Sequence, residues 1–592
     1  MKTGRSTRRR NVFAMAALLA LISVFVVRLV DIQIVRADEL NAASLAARST
    51  PVEILGTRGS IVDKNGVVLA ESVMRYDIAL SPKKAGPFER ETSSGTEKVS
   101  LTQALDELGA AVGSTGAALQ ATIDESLAAD PDSDFAYVAK AVDTKTYQAV
   151  KALEIPWQTF DRHPGRIYPD GSVAGNILGY MSADGEAQAG EELAANQCLI
   201  GKDGSESYQT SVDGVAIPGT TVDSVAAHNG GTLALTIDAD LQWNVQQTLA
   251  KQAQATGAAW GTVVVQEVKT GKLVAVADYP TVDPNNVDGT ADVDRGSRAF
   301  TASYEPGSTF KALTAATAID AGVATPDTQV VAPYRIIFPN GANINDSARH
   351  ADQNLTLTGV LIESSNTGMS QIGALMSDDQ RYDYYKKFGL GTETEVGFPA
   401  EDSGILHEPG TDAWDNQTKY ATMFGQGLTT TAVQLASVYQ TIANGGVRMP
   451  VQLIEGCTHE DGTVTDVPAA TGVQAVSPAA AKQTSDILEM VYQKAWLSKV
   501  WNIPGYRVTA KTGTAQMPDG NGGYSHGYLV SVAGFAPADD PQYVVSVSLA
   551  DPVNLNSSAA SAPIFKQVMS QVLKTYRVVP SGSTPPDLPA SW

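Results

Sequence analysis

A serine placed three residues ahead of a lysine at the start of a helix is an arrangement in which an amine can take the proton of an alcohol. In Glu305-Pro306-Gly307-Ser308-Thr309-Phe310-Lys311 a Pro-Gly break precedes a helix-forming run that extends to about Ile319. The spacing puts the Ser308 hydroxyl and the Lys311 amine on one helical face. The helix start also offers backbone N–H groups and a positive dipole end to a developing oxyanion. Two further groups follow, Glu363-Ser364-Ser365-Asn366 and Lys511-Thr512-Gly513-Thr514. The β-rich approach from Tyr506 to Ala510 predicts a strand that presents alternate side chains to a cleft.

Each element alone is cheap. Ser81-Pro82-Lys83-Lys84 repeats the serine–lysine spacing but reads as a solvated loop, and Lys269-Thr270-Gly271 reads as a hairpin turn. Gly523-Tyr524-Ser525-His526-Gly527 matches a nucleophile elbow, which needs a strand before it and a helix after it. Here a Gly/Pro/Asp loop from Met517 to Gly523 precedes it and a β-rich run follows. His407-Glu408 and His459-Glu460 lack the second histidine of a zinc-protease helix. Cys198 and Cys457 allow at most one disulfide, leave open whether they meet, and have no zinc-ligand spacing. The chemistry calls for no metal or organic cofactor.

The elements that position these residues form a second domain. Leu233 to Asp238 open a helix from Ala239 to Ala253, followed by a hairpin from Gly261 to Val268 and Leu273 to Ala277. A second hairpin pairs Tyr528–Phe535 with Tyr543–Leu549, and a helix spans Ala562 to Thr575. Residues 579–592 are Pro/Ser-rich and are expected to be a disordered tail. Before this domain, residues 31–235 mix short strands such as Gly66–Ala70 with helices such as Ser100–Val112, where Ser100 and Gln103 suit a capping box. Gly201 to Asp213 reads as a loop.

Lys2, Arg5, Arg8, Arg9 and Arg10 precede the apolar run Asn11–Val27, extended by Leu29 and Val30. Arg28-Leu29-Val30-Asp31 stands where a signal peptide would carry a small-x-small cleavage site, so an uncleaved anchor over 11–30 is favoured. The basic cluster keeps residues 1–10 cytoplasmic and sends the rest across the plasma membrane. A chain of 592 residues suits two to four domains, and 43% apolar with 18% charged residues is a folded composition. A net charge of −22 argues against a nucleic-acid partner.

S-x-x-K, then S-x-N, then K-T-G is the motif set of penicillin-binding proteins and serine β-lactamases. The chain resembles a class B penicillin-binding protein, a peptidoglycan D,D-transpeptidase, over nearly its whole length. Arg28–Gln33, Arg58–Ala70, Arg166–Pro169, Gly204–Glu206, Gly425-Gln426-Gly427 and Gly534–Pro537 are similar to further family segments. The resemblance implies a multidomain α+β protein. It would have one transmembrane helix, an elongated pedestal or dimerisation-type domain over 31–235, and a β-lactamase-like transpeptidase domain over 236–578, an antiparallel sheet flanked by helices. It leaves no room for the glycosyltransferase domain of class A members.

It further implies that Ser308 attacks the penultimate D-Ala of a stem peptide, with Lys311 as base, its pKa lowered by desolvation and by Lys511. Ser364 would relay a proton and Asn366 would hold Lys311 and the substrate amide. Lys511, Thr512 and Thr514, with Gly513 between them, would bind the terminal carboxylate, and the backbone N–H groups of Ser308 and Thr514 would form the oxyanion hole. β-Lactams would acylate Ser308. The expected protein partners are a SEDS-type, FtsW-like glycosyltransferase and other divisome membrane proteins. A septal, FtsI-like role is favoured over an elongation role. A membrane-anchored β-lactamase lacks its E-x-x-L-N glutamate here, a β-lactam sensor needs more membrane helices, and an inert scaffold does not need the intact motifs.

Overall fold

The computed structural model describes residues 4–92, 95–209, 217–221, 223–518 and 524–592. The chain divides into two compact units, Met1–Thr57 with Gly201–Asn229, and Arg58–Ile200 with Gly230–Trp592.

In the first unit a helix spans Gly4–Val30 and runs on as a π-helical turn, Asp31–Val35. The stretch Thr7–Val35, whose most apolar 18-residue window has a mean hydropathy of 2.5, is long and apolar enough to cross a membrane. Ser49–Ile54 pairs antiparallel with Gly204–Gln209, which also pairs with Asp223–Val225. The expected loop from Gly201 to Asp213 therefore contains a strand, and 210–213 lie outside the described residues. A strand in a narrow ribbon needs ladder partners rather than an apolar face, so its Ser- and Glu-rich composition concealed it.

The second unit begins with strands β1 (Ile61–Val62) and β2 (Val68–Leu80). Helices α1 (Leu101–Val112) and α2 (Gly116–Ala129), strand β3 (Ala136–Val142), helix α3 (Thr144–Lys151), and strands β4 (Gln158–Ile167) and β5 (Thr232–Leu235) follow. Ser100 caps α1 by accepting the Gln103 N–H at 3.2 Å, but the Gln103 side chain turns to Glu107, so only half of the capping box forms. Ile78, Leu105, Leu108, Ile123 and Trp157 build a small core of their own. Ser81, expected in a solvated loop, is buried and bonded to Asp134. The family-like residues Arg58 and Arg166 each place Nε 2.6 Å from the fully buried Glu192 carboxylate, and Tyr168 donates to it at 3.2 Å.

Asp238 caps helix α4 (Ala239–Thr256), which runs past Ala253 until Gly257 supplies the left-handed φ of 69° that ends it. Strands β6 (Trp260–Glu267) and β7 (Leu273–Tyr279) form the expected hairpin about Lys269-Thr270-Gly271. After them come α5 (Lys311–Asp320), α6 (Leu357–Glu363), α7 (Asn366–Gly373) and the wholly buried α8 (Ala432–Ala443). Strands β8 (Ile454–Thr458) and β9 (Val464–Thr465) leave this domain and extend the N-terminal sheet in the order β9-β8-β5-β1-β2-β3, with β4 also on β2. A disulfide joins Cys457 on β8 to Cys198.

Helix α9 (Pro478–Lys494) leads to β10 (Lys511–Pro518), β11 (Tyr524–Ala536), β12 (Tyr543–Ala550) and α10 (Ala562–Thr575). The five-stranded antiparallel sheet runs β7-β6-β12-β11-β10. Val263, Val264 and Val265 on β6 are all fully buried, as a strand covered on both faces requires. Helices α4 and α10 pack on the sheet and on each other, and α8 packs on the sheet with α9 against it.

The expected disordered tail is a correction. Ser581 and Ser583 donate to the Asp539 carboxylate at 2.7 and 2.5 Å, and Arg507 donates to Ser583 at 2.6 Å. Farther on, Ala590 accepts the Thr356 N–H at 3.2 Å and Trp592 donates to Asn354 at 3.4 Å. Composition shows that this stretch cannot build a core, but not that distant residues hold it.

Candidate active site

Gly307–Phe310 is a 3₁₀ turn that runs directly into α5, so Ser308 sits on the turn and Lys311 opens the helix. Lys311 Nζ donates to Asn366 Oδ1 at 2.7 Å and to the Ser364 carbonyl, and it lies 3.0 Å from Ser308 Oγ and 3.3 Å from Ser364 Oγ. From the other side Lys511 Nζ lies 2.9 Å from Ser364 Oγ and 3.1 Å from the Thr512 carbonyl. Three segments far apart in sequence thus converge on Ser308, and the five residues Ser308, Lys311, Ser364, Asn366 and Lys511 form one connected network.

Local backbone geometry makes the convergence possible. Ser364 ends α6 with a left-handed φ of 59°, which is uncommon for a non-glycine residue and aims its carbonyl and hydroxyl at the lysines. Gly513 lies so close to the Ser308 turn that a Cβ there would sit 3.0 Å from the Pro306 carbonyl and 2.3 Å from Ser531 Oγ. A Cβ on Gly307, whose φ is 56°, would be 3.1 Å from the Thr514 carbonyl. The backbones of Gly307-Ser308 and Thr514 therefore run side by side. The Thr512 hydroxyl is 3.5 Å from Lys511 Nζ, and Thr514 is exposed with its hydroxyl 3.4 Å from Ser558 Oγ.

Electrostatics prepare an amine base. Burial, with the neighbouring charge of Lys511, holds Lys311 well below the usual lysine range, while Asp346 acts in the opposite sense. Burial alone lowers Lys511 to about 7. At neutral pH the pair can therefore offer one neutral amine for proton abstraction and one ammonium for an anion.

Several contributors carried no sequence signal. The Asp346 carboxylate accepts the backbone N–H of Thr367 at 3.0 Å, that of Asn366, and the Ser365 hydroxyl at 2.8 Å, holding the start of α7. The Asn345 carbonyl accepts Asn366 Nδ2 at 3.0 Å, which turns the amide oxygen toward Lys311. Ser558 Oγ donates to the Gly513 carbonyl at 2.8 Å. Glu305, beside the motif, is buried and accepts the Gly427 N–H at 2.8 Å and the Tyr524 hydroxyl at 3.0 Å. Tyr506–Ala510 is not a strand, since β10 begins at Lys511. The nucleophile-elbow match has no helix after it, because Tyr524 opens β11, and its Gly523 lies outside the described residues. Among the described residues no group of His, Cys, Asp and Glu is arranged to hold a metal ion.

A serine–lysine pair closed by S-x-N and K-T-G on a five-stranded sheet defines a penicillin-binding transpeptidase domain, and the family profile of that name matches residues 261–570. The profile of the penicillin-binding protein dimerisation domain matches residues 53–235, and the chain belongs to the class B penicillin-binding proteins. Penicillin-binding protein PbpB of Mycolicibacterium smegmatis is 32% identical, the alignment covering 97% of this chain and 91% of that one. The peptidoglycan D,D-transpeptidase FtsI of Escherichia coli is also 32% identical, over 91% of this chain and 87% of its own. Penicillin-binding protein 3 of Mycobacterium tuberculosis, solved with aztreonam, is similar with a TM-score of 0.67 and 27% identity, covering 91% of this chain and all of that structure.

Proposed function

We propose that the chain is a serine-type peptidoglycan D,D-transpeptidase that works through an acyl-enzyme on Ser308. The observation that carries this reading is the 3.0 Å contact between Lys311 Nζ and Ser308 Oγ, with the amine buried and held by Asn366. Ser308 Oγ attacks the carbonyl of the penultimate D-Ala as its proton passes to Lys311. The oxyanion is met by the backbone N–H groups of Ser308 and Thr514. Collapse breaks the C–N bond, and the proton held by Lys311 reaches the leaving amine through Ser364. Terminal D-Ala departs and an ester remains. An acceptor amine from a second stem then attacks the ester, loses a proton by the same route reversed, and frees Ser308 with the cross-link made. Lys511, Thr512 and Thr514 hold the donor carboxylate, and Gly513 lets the strand approach.

β-Lactams enter as mimics of the donor and acylate the same oxygen. No metal or organic cofactor takes part. Helix Gly4–Val30 anchors the protein in the plasma membrane, with the N-terminus cytoplasmic by its basic cluster and the catalytic domain outside. The Cys198–Cys457 disulfide suits that oxidising side. The septal role is favoured by the likeness to FtsI, and it brings a SEDS-type, FtsW-like glycosyltransferase and other divisome membrane proteins as partners.

The test is intact-protein mass spectrometry of the full chain in detergent after brief exposure to benzylpenicillin, followed over hours with the modified residue mapped. A long-lived adduct on Ser308 is expected. An adduct that clears within seconds would make the chain a hydrolase, and none at all would make it an inert scaffold.

A further inference from the structure

His350 lies outside the motif set, yet it touches the carboxylate that holds the S-x-N turn. Its Nε2 is 3.0 Å from Asp346 Oδ2 and its Nδ1 is 2.7 Å from the Ala351 carbonyl oxygen. A carbonyl oxygen and a carboxylate only accept hydrogen bonds, and a neutral imidazole carries one N–H. Both contacts are satisfied together only by the imidazolium. The side chain is 21% exposed, so it exchanges protons with solvent. The Ala351 carbonyl, and then Asp346, hold its pKa above the ordinary value against the effect of burial.

The charged groups around this line are few. Asp346 and Asp352 act on His350, and Arg349 sits over the Tyr334 ring, which stands perpendicular to the imidazole. On the inner side, Lys511 of β10 and Asp346 are the charges that act on Lys311. Asp346 therefore stands between a histidine open to solvent and the buried amine.

We propose that His350 is a positioning residue for acylation, which acts through Asp346 by setting how much of that carboxylate's charge reaches the Lys311 amine. This rests on the reading of Lys311 as the base. With His350 protonated, Asp346 is compensated and Lys311 gives up its proton readily. Once His350 loses its charge, the uncompensated carboxylate favours the Lys311 ammonium, which cannot accept the Ser308 proton.

The experiment measures the second-order rate of acylation by a fluorescent penicillin from pH 5 to 9, on the full chain in detergent, for the wild type, His350→Gln and Asp346→Asn. In His350→Gln the acid limb of the profile is expected to move to higher pH, with the rate at pH 6 falling about threefold or more. In Asp346→Asn the limb is expected to move to lower pH. Opposite shifts support the proposal. A common loss of rate at all pH values with a lowered melting temperature, or unchanged profiles, would overturn it. If Asp346→Asn does not fold, His350→Gln decides alone. Wild-type acylation in Lys311→Ala would instead remove the base reading itself, which is a separate result.

Discussion

Ser364 Oγ stands between two lysine amines, 3.3 Å from Lys311 Nζ and 2.9 Å from Lys511 Nζ. A hydroxyl in that place can take a proton from one side while giving one to the other, which is what the proposed relay from Lys311 to the leaving amine requires. Lys311→Ala is expected to slow penicillin acylation by roughly 100- to 10,000-fold, the contribution of a positioned base. Stopped-flow labelling checks this, and Ser308→Ala is expected to abolish labelling with an unchanged circular dichroism spectrum.

The two lysines should give acylation a bell-shaped pH profile. Lys311 must be neutral, so the rate falls as acid protonates it. Lys511 must be charged to hold a carboxylate, and with its pKa at about 7 in the free enzyme, kcat/KM should fall as pH rises through that region. A bound carboxylate favours the ammonium, so the alkaline limb of the maximal acylation rate should lie at higher pH than that of kcat/KM. Coincident limbs in the two profiles would count against Lys511 as the carboxylate site.

Glu191 is 3% exposed, and burial pushes its carboxyl up to about 8 from an ordinary 4.5. Between those values the folded chain keeps a proton that the unfolded chain has lost. The resulting stability is fully present below about pH 4.5 and disappears as pH rises through 8. Glu191→Gln should therefore raise the melting temperature at pH 8 and leave it nearly unchanged at pH 5. The difference corresponds to roughly 1–4 kcal/mol. Thermal unfolding at the two pH values tests it.

Cys198 and Cys457 are 259 residues apart in sequence, so their bond closes a long loop. Replacing both by serine should cost about 2–5 kcal/mol, measured by denaturant unfolding. Ser308 should still label below the new midpoint, because neither cysteine belongs to the Ser308–Lys311 network.

What was legible in the sequence was mostly local. The i, i+3 spacing of Ser308 and Lys311 is a property of one turn, and both hairpins and α10 announce themselves by periodicity and turn residues. That Ser364 and Lys511 join them came from resemblance, since no local rule brings such distant segments together. Asp346 and His350 could not be found that way, because a carboxylate and a histidine in a short irregular loop match no motif. Tyr506–Ala510 misled for a related reason. Thr509 supplied the β-branched signal, but it is buried and bonds the Phe535 carbonyl through its backbone N–H and hydroxyl outside the ladder.

The C-terminal stretch has a practical consequence for following this protein in cells. Thr356 accepts the Gly359 N–H at the start of α6 and donates to the Pro589 carbonyl, and the far end of that helix carries Ser364. A fluorescent protein joined by a short linker after Trp592 would sit beside the contacts that Pro589, Ala590 and Trp592 make with Thr356 and Asn354 at the entry to this helix. Reporters and affinity handles therefore belong ahead of helix Gly4–Val30, and a C-terminal fusion is expected to lower penicillin labelling through the entry to α6.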